Sequence, residues 1–426
     1  MPGLLRDRAE AIRRIAREHG PLVRVPVPGK PFHLVSCPRL ARQVLLTNSK
    51  NYGKSFDWRI VHSLLGDGLV TSHDEVWRHA RAASAPGFKG DPFARLGPAL
   101  AQVIEAEVAG WAPAGGALPT VAATTRLALR AFTGPVLGVE AEPQLETIAR
   151  SVATALRHLD RRLAALVDLH AYLPTPSRLR FARAVRRLDA VLYGWIDPLL
   201  ARGGRGAPGL LGLLARAGAE GLPEGLAPRR WLRDQVLTFL LAGHETVAVS
   251  LTWCMWLLAL HPEEQERLRA GLPGPGELQA WLEAWTPLDA AIHEVLRLYP
   301  PVWSLGREAR GPDRLGEWEV PAGATVMVSP YAIQRSAADW PEPDAFRPQR
   351  FAAGPPEQGE ALTWLPFSAG PRRCPGDRLA LLELKLALRE VLLRHRISPL
   401  ERGPVATEAL ISLRPRRELP LRLAPA

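Results

Sequence analysis

The spacing of apolar residues changes several times along the chain, and each spacing predicts one kind of element. Residues 1–20 and 38–47 carry apolar positions at the intervals of an amphipathic helix. Between them, Leu22-Val-Arg-Val and Phe32-His-Leu-Val are short runs that favour strands. Helical spacing dominates residues 75–262. Short strands are expected again at 315–320, at 325–328 and near the C-terminus. The pattern therefore predicts a mainly α-helical protein with a minor β-sheet region.

The longest helical pattern covers residues 229–261 and is ended by Pro262. At ~1.5 Å per residue it would be roughly 50 Å long. Its centre reads Ala242-Gly243-His244-Glu245-Thr246, where a glycine and an acid–alcohol pair are poor choices for a buried helix. Taken alone, the segment has two interpretations: a glycine tolerated at a close helix crossing, with His244 and Glu245 in solvent, or a functional site.

A second unusual segment is Phe367-Ser-Ala-Gly370-Pro-Arg372-Arg373-Cys374-Pro375-Gly376. Its lone cysteine is poorly suited to zinc, which needs more ligands nearby, but it could give one thiolate to one metal. Helical spacing begins at Asp377, so Cys374 is expected near a helix N-terminus, where the dipole favours an anionic sulfur. The alternative for an isolated cysteine is a structural role in a glycine-rich turn.

Composition limits the class of protein. The chain has 426 residues, of which 47% are hydrophobic, which is ample for a large core. Its three cysteines lie far apart and do not suggest a disulfide framework. No N-terminal apolar run is long enough for a signal peptide, and the uncharged stretch 247–260 is too short to span a bilayer easily. We therefore expect a soluble, cytoplasmic protein without a transmembrane segment.

The net charge is +11, and nearly all of the basic residues are arginines. They are dispersed in pairs with acids between them, and no nucleic-acid-binding module is present in the sequence. We therefore expect no nucleic-acid partner. An acidic protein partner is more plausible, since complementary charge speeds encounter.

The segment that contains Cys374 resembles the haem-binding loop of cytochromes P450, Phe-x-x-Gly-x-Arg-x-Cys-x-Gly, at every fixed position. The resemblance implies haem b as cofactor, with Cys374 as the axial ligand of its iron and with contacts from Phe367, Gly370, Arg372 and Gly376. It also implies the P450 fold, in which the haem lies between the central and C-terminal helices. One haem domain would span 1–426, with its β-containing part at about 20–75 and 300–350 and without a fused reductase.

Residues 242–246 resemble the oxygen-binding segment of the P450 central helix, (Ala/Gly)-Gly-x-(Asp/Glu)-Thr. By this resemblance Ala242 and Gly243 contact the haem, whereas Thr246 and Glu245 are the catalytic residues that deliver protons to the reacting oxygen. A hydrogen bond from Thr246 back to the carbonyl group of Ala242 is expected to loosen the helix at this point.

Another resemblance concerns structure. His293-Glu294-Val-Leu-Arg297-Leu-Tyr-Pro-Pro resembles the Glu-x-x-Arg motif of P450s, and its acid and base share a helix face. In the family a second arginine joins them, which corresponds here to Arg350 of Pro348-Gln349-Arg350-Phe351, where the family has Glu in place of Gln349. We expect Glu294, Arg297 and Arg350 to form a structural triad that braces the haem side of the fold.

The resemblance extends to the haem propionates and the substrate pocket. Trp77 and Arg81 match Trp-x-x-x-Arg, and Arg307 and Arg372 are further propionate partners, because the guanidinium fork suits carboxylates. The expected pocket walls are largely apolar and favour a long hydrophobic substrate. They comprise Leu64, Leu65, Val302, Trp303, Leu305 and Ile411.

The activity that this resemblance implies is hydroxylation with dioxygen and two electrons. Several segments, among them Ala242-Gly-His-Glu-Thr-Val-Ala and Val328-Ser-Pro-Tyr-Ala-Ile-Gln-Arg335, look like soluble thermophilic bacterial P450s that hydroxylate carotenoids. We therefore expect a carotenoid such as β-carotene, with a long-chain fatty acid as the alternative. Electrons would come to a monomeric enzyme from a ferredoxin and its reductase, with the acidic partner on the basic proximal face. Peroxide-driven oxidation and a haem-based sensor rank lower.

Overall fold

The computed structural model describes residues 7–26, 31–55, 57–111, 116–164, 175–274, 276–357, 359, 361–403 and 405–426. The chain forms two compact units. The sheet unit comprises Met1–Phe56, Glu105–Thr124 and Thr246–Ala426, and the helical unit comprises Asp57–Ile104 and Thr125–Glu245. All the strands assigned in the described residues belong to the sheet unit.

Helices make up most of the helical unit and also occur throughout the sheet unit. In chain order they are α1 (Arg8–His19), α2 (Pro38–Arg42), α3 (Asp57–Leu65), α4 (Asp74–Phe88), α5 (Pro92–Ala109), α6 (Thr120–Ala131), α7 (Leu145–Ala164), α8 (Pro176–Leu200), α9 (Gly209–Glu220), α10 (Pro228–Leu260), α11 (Pro262–Ala270), α12 (Leu278–Glu283), α13 (Pro287–Leu298), α14 (Pro330–Ile333) and α15 (Asp377–Arg394). Short π-helical turns follow α2 at Gln43–Thr47 and α6 at Phe132–Leu137.

The described strands of the sheet unit form four sheets. The strands are β1 (Leu22–Val25), β2 (Phe32–Val35), β3 (Tyr52–Lys54), β4 (Ala117–Pro119), β5 (Leu305–Ala309), β6 (Asp313–Leu315), β7 (Trp318–Val320), β8 (Thr325–Val328), β9 (His395–Pro399), β10 (Thr407–Ala409), β11 (Leu413–Pro415) and β12 (Pro420–Pro425). The largest sheet has the order β1-β2-β8-β5-β3, in which only β2 and β8 are parallel. The others are β4-β12-β9, β10-β11 and the hairpin β6-β7.

The predicted strands β1 and β2 occur at the expected residues and pair as an antiparallel hairpin, with Val23 opposite Leu34. The strand expected at 315–320 is instead a hairpin, because Gly316 has a φ of 61° and turns the chain between β6 and β7. Buried apolar residues of β2, β5 and β8 form one core of the sheet unit with residues of α2. The mainly α-helical composition with a minor sheet region is confirmed.

Helix α10 begins one residue before the expected start and ends one residue before the expected end. It is long and apolar enough to cross a membrane, but 78% of its most apolar window is buried inside the protein, as in the core helix of a folded domain. Its residues through Glu245 belong to the helical unit, and those from Thr246 onward belong to the sheet unit.

Candidate active site

The loop that carries Cys374 is a tight structure directly before α15. The N–H group of Cys374 donates to the carbonyl of Phe367 over 3.0 Å, and that of Arg373 donates to Gly370 over 3.0 Å. Cys374 is exposed, and α15 begins three residues later at Asp377. The thiol therefore lies outside the protein core, close to the N-terminal end of an eighteen-residue helix, where the helix dipole favours a thiolate.

Gly370 allows this loop to pack closely on the sheet unit. Its φ is 71°, and a Cβ atom at this position would overlap the backbone carbonyl of Leu45. No other residue type fits there without moving the backbone of one segment or the other. The glycine of the motif therefore positions the Cys374 loop as well as making it turn.

Gln334 connects this region to helix α13. It is fully buried, its Oε1 accepts the N–H of Leu365 over 2.6 Å, and its Nε2 donates to the carbonyl groups of Leu296 and Arg297 over 3.0 Å each. Both ends of the amide are therefore satisfied, and the end of α13 is tied to the start of the loop. Sequence reasoning did not find this residue. The available signal was a polar residue between Ile333 and Arg335 in an otherwise apolar segment.

Glu294, Arg297 and Arg350 form one buried cluster. The carboxylate of Glu294 accepts two hydrogen bonds from Arg297, at 2.7 and 2.8 Å, and both side chains are 0% exposed. Arg350 approaches the same carboxylate at 3.3 Å, and the N–H of Arg347 donates to it over 2.9 Å. Arg297 also donates to three backbone carbonyls, so the charges on both sides are compensated.

A chain of aromatic rings leads from α13 to the cysteine loop. His293 stacks on Trp364 with centroids 4.9 Å apart, and Trp364 meets Phe367 at 6.1 Å. Burial lowers the pKa of His293 to about 4, although Nδ1 donates to the carbonyl of Asp289 over 2.8 Å. The imidazole is therefore neutral near pH 7 and acts as a packing residue between the triad and the loop.

The centre of α10 is accessible, although the helix on either side of it is buried. Between residues 231 and 259, the residues that are not buried are Ala242, Gly243, Glu245 and Thr246. These are four of the five residues that the sequence singled out. The helix is α-helical without interruption through this segment, so the expected loosening at Thr246 is not seen. Ser250 and Thr252 bond back to carbonyls over 2.8 Å elsewhere in the same helix, which shows that such bonds fit a regular helix.

His244 is the exception within this segment. It is 1% exposed, and its Nδ1 donates to the carbonyl of Leu240 over 2.5 Å. Burial lowers its pKa, which favours the neutral ring. The interpretation in which His244 faces solvent is therefore wrong. Gly243 has a packing reason, because a Cβ atom there would overlap the ring of Phe132.

Trp77 and Arg81 lie one turn apart on α4 in the helical unit, and both side chains are partly buried. Leu64 and Leu65, at the end of α3, are 1% and 2% exposed. Arg307, on β5 of the sheet unit, is 6% exposed and donates from Nη1 to the carbonyl of Gly306 over 2.9 Å.

The other predicted residues lie in the sheet unit. Arg372 lies in the short turn Gly370–Arg372, and Val302 and Ile411 are partly buried. Trp303 and Leu305 are core residues: Trp303 packs with Ile12 and Leu34 and donates from its indole to the carbonyl of Leu410 over 2.7 Å. The large apolar surface of this indole is used by the core, which argues against Trp303 as a pocket wall.

A second buried polar cluster, which sequence reasoning missed, fixes the loop after α3. The carboxylate of Asp234 accepts the N–H of Asp67 over 3.0 Å, and Gln235 accepts the N–H of Leu69 over 2.9 Å. Arg233 donates to the carbonyl of Leu64 over 2.8 Å and pairs with Asp234 at 2.9 Å. The signal was present as three consecutive polar residues in an apolar helical pattern.

Two glycines make this contact possible. A Cβ atom at Gly66 would overlap the carboxylate of Asp234, and one at Gly68 would overlap the hydroxyl of Thr238. We call Arg233, Asp234 and Gln235 together with residues 66–69 the loop clamp. It holds Leu64 and Leu65 at the end of α3 in one position relative to α10.

Comparison with known proteins identifies the family. A family model described as cytochrome P450 matches residues 5–419. Cyclooctat-9-en-7-ol 5-monooxygenase of Streptomyces melanosporofaciens is 31% identical over 397 residues, which cover 89% of this chain and 83% of that protein. Cyclooctatin synthase of the same organism is 30% identical and covers 96% of this chain and 89% of its own length.

Comparison with solved structures identifies the same family. CYP175A1 from Thermus thermophilus has a TM-score of 0.78 and 29% identity, with coverage of 99% of this chain and 96% of that one. A six-coordinated cytochrome P450 from another strain of Thermus thermophilus has a TM-score of 0.75 and 28% identity, with 98% of each chain covered. The fold is therefore the P450 fold, and the chain belongs to the cytochrome P450 family of haem b monooxygenases.

Proposed function

We propose that this P450 hydroxylates a long apolar substrate, first of all a carotenoid such as β-carotene, and that the thiolate of Cys374 would hold the iron of haem b. The observation that carries this proposal is the agreement between two independent segments. The cysteine of the loop is exposed at a helix N-terminal end, and the accessible residues of the buried α10 are those of the oxygen-binding motif.

The residues present fit haem b. Cys374 offers an exposed sulfur that would hold the iron as a thiolate ligand. Ala242 and Gly243 present a part of α10 without large side chains, where a flat macrocycle can approach. Phe367, Gly370 and Gly376 shape the cysteine loop. Haem b, when bound, supplies the redox chemistry by which dioxygen is activated.

Four residues are proposed to hold the two propionates: Trp77, Arg81, Arg307 and Arg372. Arg81 makes no ion pair with any described residue, which leaves a partly buried guanidinium available for an anionic group. Arg307 is buried on a strand, and the planar fork of its guanidinium group suits a propionate carboxylate. The indole N–H of Trp77 would add one neutral hydrogen bond.

Thr246 and Glu245 are proposed to move protons. Both lie partly accessible in the centre of α10, next to the two small residues. The hydroxyl of Thr246 can accept one proton and donate another. The carboxyl group of Glu245 can then supply a new proton to this hydroxyl. We expect Thr246→Ala to keep normal haem content but to consume reductant with release of hydrogen peroxide. Equal coupling of reductant to product in the variant and the wild type would contradict this role.

The thiolate is tested by the absorption spectrum of the reduced carbon monoxide complex. The wild-type protein should give the red-shifted band that requires thiolate ligation. Cys374→Ser should lose this band, and Cys37→Ser, a matched change at a partly buried cysteine, should keep it. A folded wild-type protein that binds haem without the red-shifted band would overturn the assignment of Cys374.

The substrate class is supported by the apolar side chains of Leu64, Leu65, Val302 and Ile411 and by two relatives whose names refer to cyclooctatin and cyclooctat-9-en-7-ol. Titration with β-carotene, with long-chain fatty acids and with cyclooctat-9-en-7-ol, followed by the spectral change at the haem, compares the three. We expect β-carotene to produce the change at the lowest concentration. A change with fatty acids alone would overturn the carotenoid proposal and leave the monooxygenase in place.

Electrons are proposed to come from a ferredoxin and its reductase, with an acidic ferredoxin bound to the basic surface near Cys374, in a monomeric cytoplasmic enzyme. Arg373 and Arg378 are exposed on this surface, although Arg373 already pairs with Asp377 at 2.6 Å. Turnover with ferredoxin, its reductase and NAD(P)H should therefore fall as salt is raised. A rate with hydrogen peroxide alone that equals the rate with the complete chain would favour peroxide-driven oxidation instead.

A further inference from the structure

Helix α8 carries a one-sided accumulation of positive charge in the helical unit. Arg178, Arg180, Arg183, Arg186 and Arg187 are all exposed, and no acidic residue occurs between 176 and 188. We call these five residues the arginine stripe. At ~1.5 Å per residue the stripe extends over roughly 14 Å, so its charges lie within about one or two Debye lengths of each other.

Within the part of the chain that the structure describes, none of the five guanidinium groups of the stripe has an ion-pair partner. The rest of the same helix behaves differently: Asp189 pairs with Arg233 at 2.7 Å, and Asp197 pairs with Arg229 at 2.7 Å. On the neighbouring α7, Glu146 pairs with Arg150 and the carboxylate of Asp160 is buried. These four acids are therefore paired with arginines outside the stripe or buried.

The two sides of α8 are sharply different. Ser177, Ala184, Leu188, Leu192 and Ile196 are buried, and α8 packs along α7 through this side. On the outer side, Leu179 is 49% exposed among the arginines. Five cations held this close repel each other, which destabilises an isolated protein, so the arrangement favours a partner of opposite charge.

We propose that the arginine stripe docks the protein on an anionic lipid bilayer. Clusters of four to eight basic residues on an amphipathic helix are typical of binding to anionic headgroups, and each contributes to the affinity. Leu179 adds an apolar side chain at the same surface, as interfacial helices do. A nucleic acid is a weaker match, since the stripe contains no polar side chain besides arginine and no aromatic ring that is exposed for stacking.

Docking of the helical unit on a bilayer is independent of the proposed reaction. Binding to substrate-free vesicles requires neither haem chemistry nor a carotenoid. Docking places the enzyme at the bilayer in which lipid-soluble molecules are dissolved, whichever of them is the substrate.

The test is co-sedimentation of the purified haem-loaded protein with vesicles that lack substrate. One set contains equal parts of phosphatidylglycerol and phosphatidylcholine, and the other contains phosphatidylcholine alone. The test variant is Arg183→Gln/Arg186→Gln/Arg187→Gln. The matched control is Arg14→Gln/Arg17→Gln/Arg402→Gln, which removes the same charge from three exposed arginines of the sheet unit. A third variant, with lysine at 183, 186 and 187, keeps the charge.

We expect the wild type to bind the anionic vesicles, with binding that weakens as salt is raised, and to bind phosphatidylcholine vesicles weakly or not at all. The partition coefficient should fall about fivefold for each arginine removed, or about a hundredfold for the glutamine triple variant. The control should change it by less than about threefold, and the lysine variant should stay close to the wild type.

Three outcomes would overturn the proposal. The first is absence of binding to anionic vesicles at low salt. The second is an equal loss in the test and control variants, which would show an effect of net charge only. The third is binding to a double-stranded DNA fragment or to an acidic ferredoxin that depends on the stripe, while binding to the vesicles does not. An unchanged unfolding midpoint of each variant shows that the loss is not a folding defect.

Discussion

Two buried carboxylates, Glu294 in the sheet unit and Asp234 in the helical unit, are both neutralised by arginine, but their surroundings differ. Arg297 is completely buried, and among the described residues Glu294 is its only acidic partner. Arg233 is also buried, but it pairs with both Asp234 and the partly exposed Asp189. A further partner of Asp234, Arg230, is 65% exposed.

The difference concerns what each carboxylate holds. Glu294 connects α13 to the backbone at Arg347. Asp234 and its neighbours instead hold the backbone of the loop that follows α3. Loss of Glu294 leaves the buried charge of Arg297 without an acidic partner. Loss of Asp234 leaves Arg233 still paired with Asp189. We therefore expect the triad to govern folding and the loop clamp to govern the position of the residues at the end of α3.

The largest expected effect is that of Glu294→Ala. Removal of the carboxylate leaves Arg297 buried without an anion, which costs about 3–5 kcal/mol of unfolding free energy. Denaturant unfolding with absorbance at the haem band measures it. If the variant does not accumulate as folded protein, Arg350→Ala, which removes the 12% exposed member, should show a smaller loss of the same kind. A cost below about 1 kcal/mol for Glu294→Ala would contradict the role of the triad.

Glu383 is a buried acid whose protonation should make the stability of the protein depend on pH. Glu383 on α15 is 1% exposed, and its Oε2 has no hydrogen-bond partner in the described chain. Burial raises the pKa of its carboxyl group to about 8. The protonated form is thus favoured in the folded state, and its contribution to stability is complete below pH 4.5, the ordinary pKa, and is lost as pH rises through 8.

Across that window the unfolding free energy should fall by about 1.4 kcal/mol for each pH unit because of this group alone. Glu383→Gln removes the titration, so the difference between the variant and the wild type should move in favour of the variant as the pH rises from about 5 to about 8. Parallel curves for the two proteins would show that Glu383 is ionised in the folded state.

Asp234→Ala should have a smaller effect on folding and a local effect on the loop. We expect a loss of about 1–3 kcal/mol, because the Asp67 amide loses its acceptor while Arg233 keeps Asp189. Amide hydrogen exchange should accelerate at Asp67 more than at Leu69, which is held by Gln235. Asp197→Ala breaks an exposed pair on the same unit and should leave both rates unchanged. Equal acceleration at Asp67 and throughout the protein would mean global destabilisation.

Gly68→Ala tests the loop clamp from the other side. The added methyl group would overlap the hydroxyl of Thr238, and relief by a shift of the loop should cost about 1–3 kcal/mol. The control is Gly194→Ala, because a Cβ atom there meets nothing within 4 Å and the residue lies in the exposed side of α8. That change should stabilise the helix slightly. Thermal unfolding of the two variants in parallel shows whether the close approach matters.

The smallest effect is expected for Gln349→Glu, which restores the residue that the family has at this position. Gln349 is exposed, and no hydrogen bond joins its side chain to the triad in the described residues. The unfolding free energy should change by less than about 0.5 kcal/mol. A larger gain would show that the buried triad depends on an acid at its rim.

The sequence predicts well those helices and strands that depend on the local spacing of apolar residues. The hairpin of β1 and β2, the extent of α10 and the helix after Cys374 all follow from apolar periodicity and from proline positions. The accessible residues at the centre of α10 stand out in the sequence because a glycine and an acid–alcohol pair violate the apolar pattern there. Such violations mark places where something other than packing selects the residue.

Contacts between residues far apart in the sequence could not be predicted from the sequence. Asp234 meets Asp67 across 167 positions, and Gln334 meets Leu365 across 31, so neither pairing leaves a periodic signal. The core packing of Trp303 could not be predicted for the same reason, since an apolar residue after a Pro-Pro turn fits both a pocket wall and a core. Only the fold shows that Ile12 and Leu34 pack against it.

Gly243 and Phe132 have a consequence for how this sequence can change over time. The ring occupies the space that any larger residue at position 243 would need, and the accessible motif beside it contains the residues proposed for catalysis. A single substitution of Gly243 by a larger residue is therefore expected to be selected against, and so is the replacement of Phe132 by a larger residue. A smaller side chain at 132 would open the way to alanine at 243, and descendants of this chain should accumulate those two changes in that order.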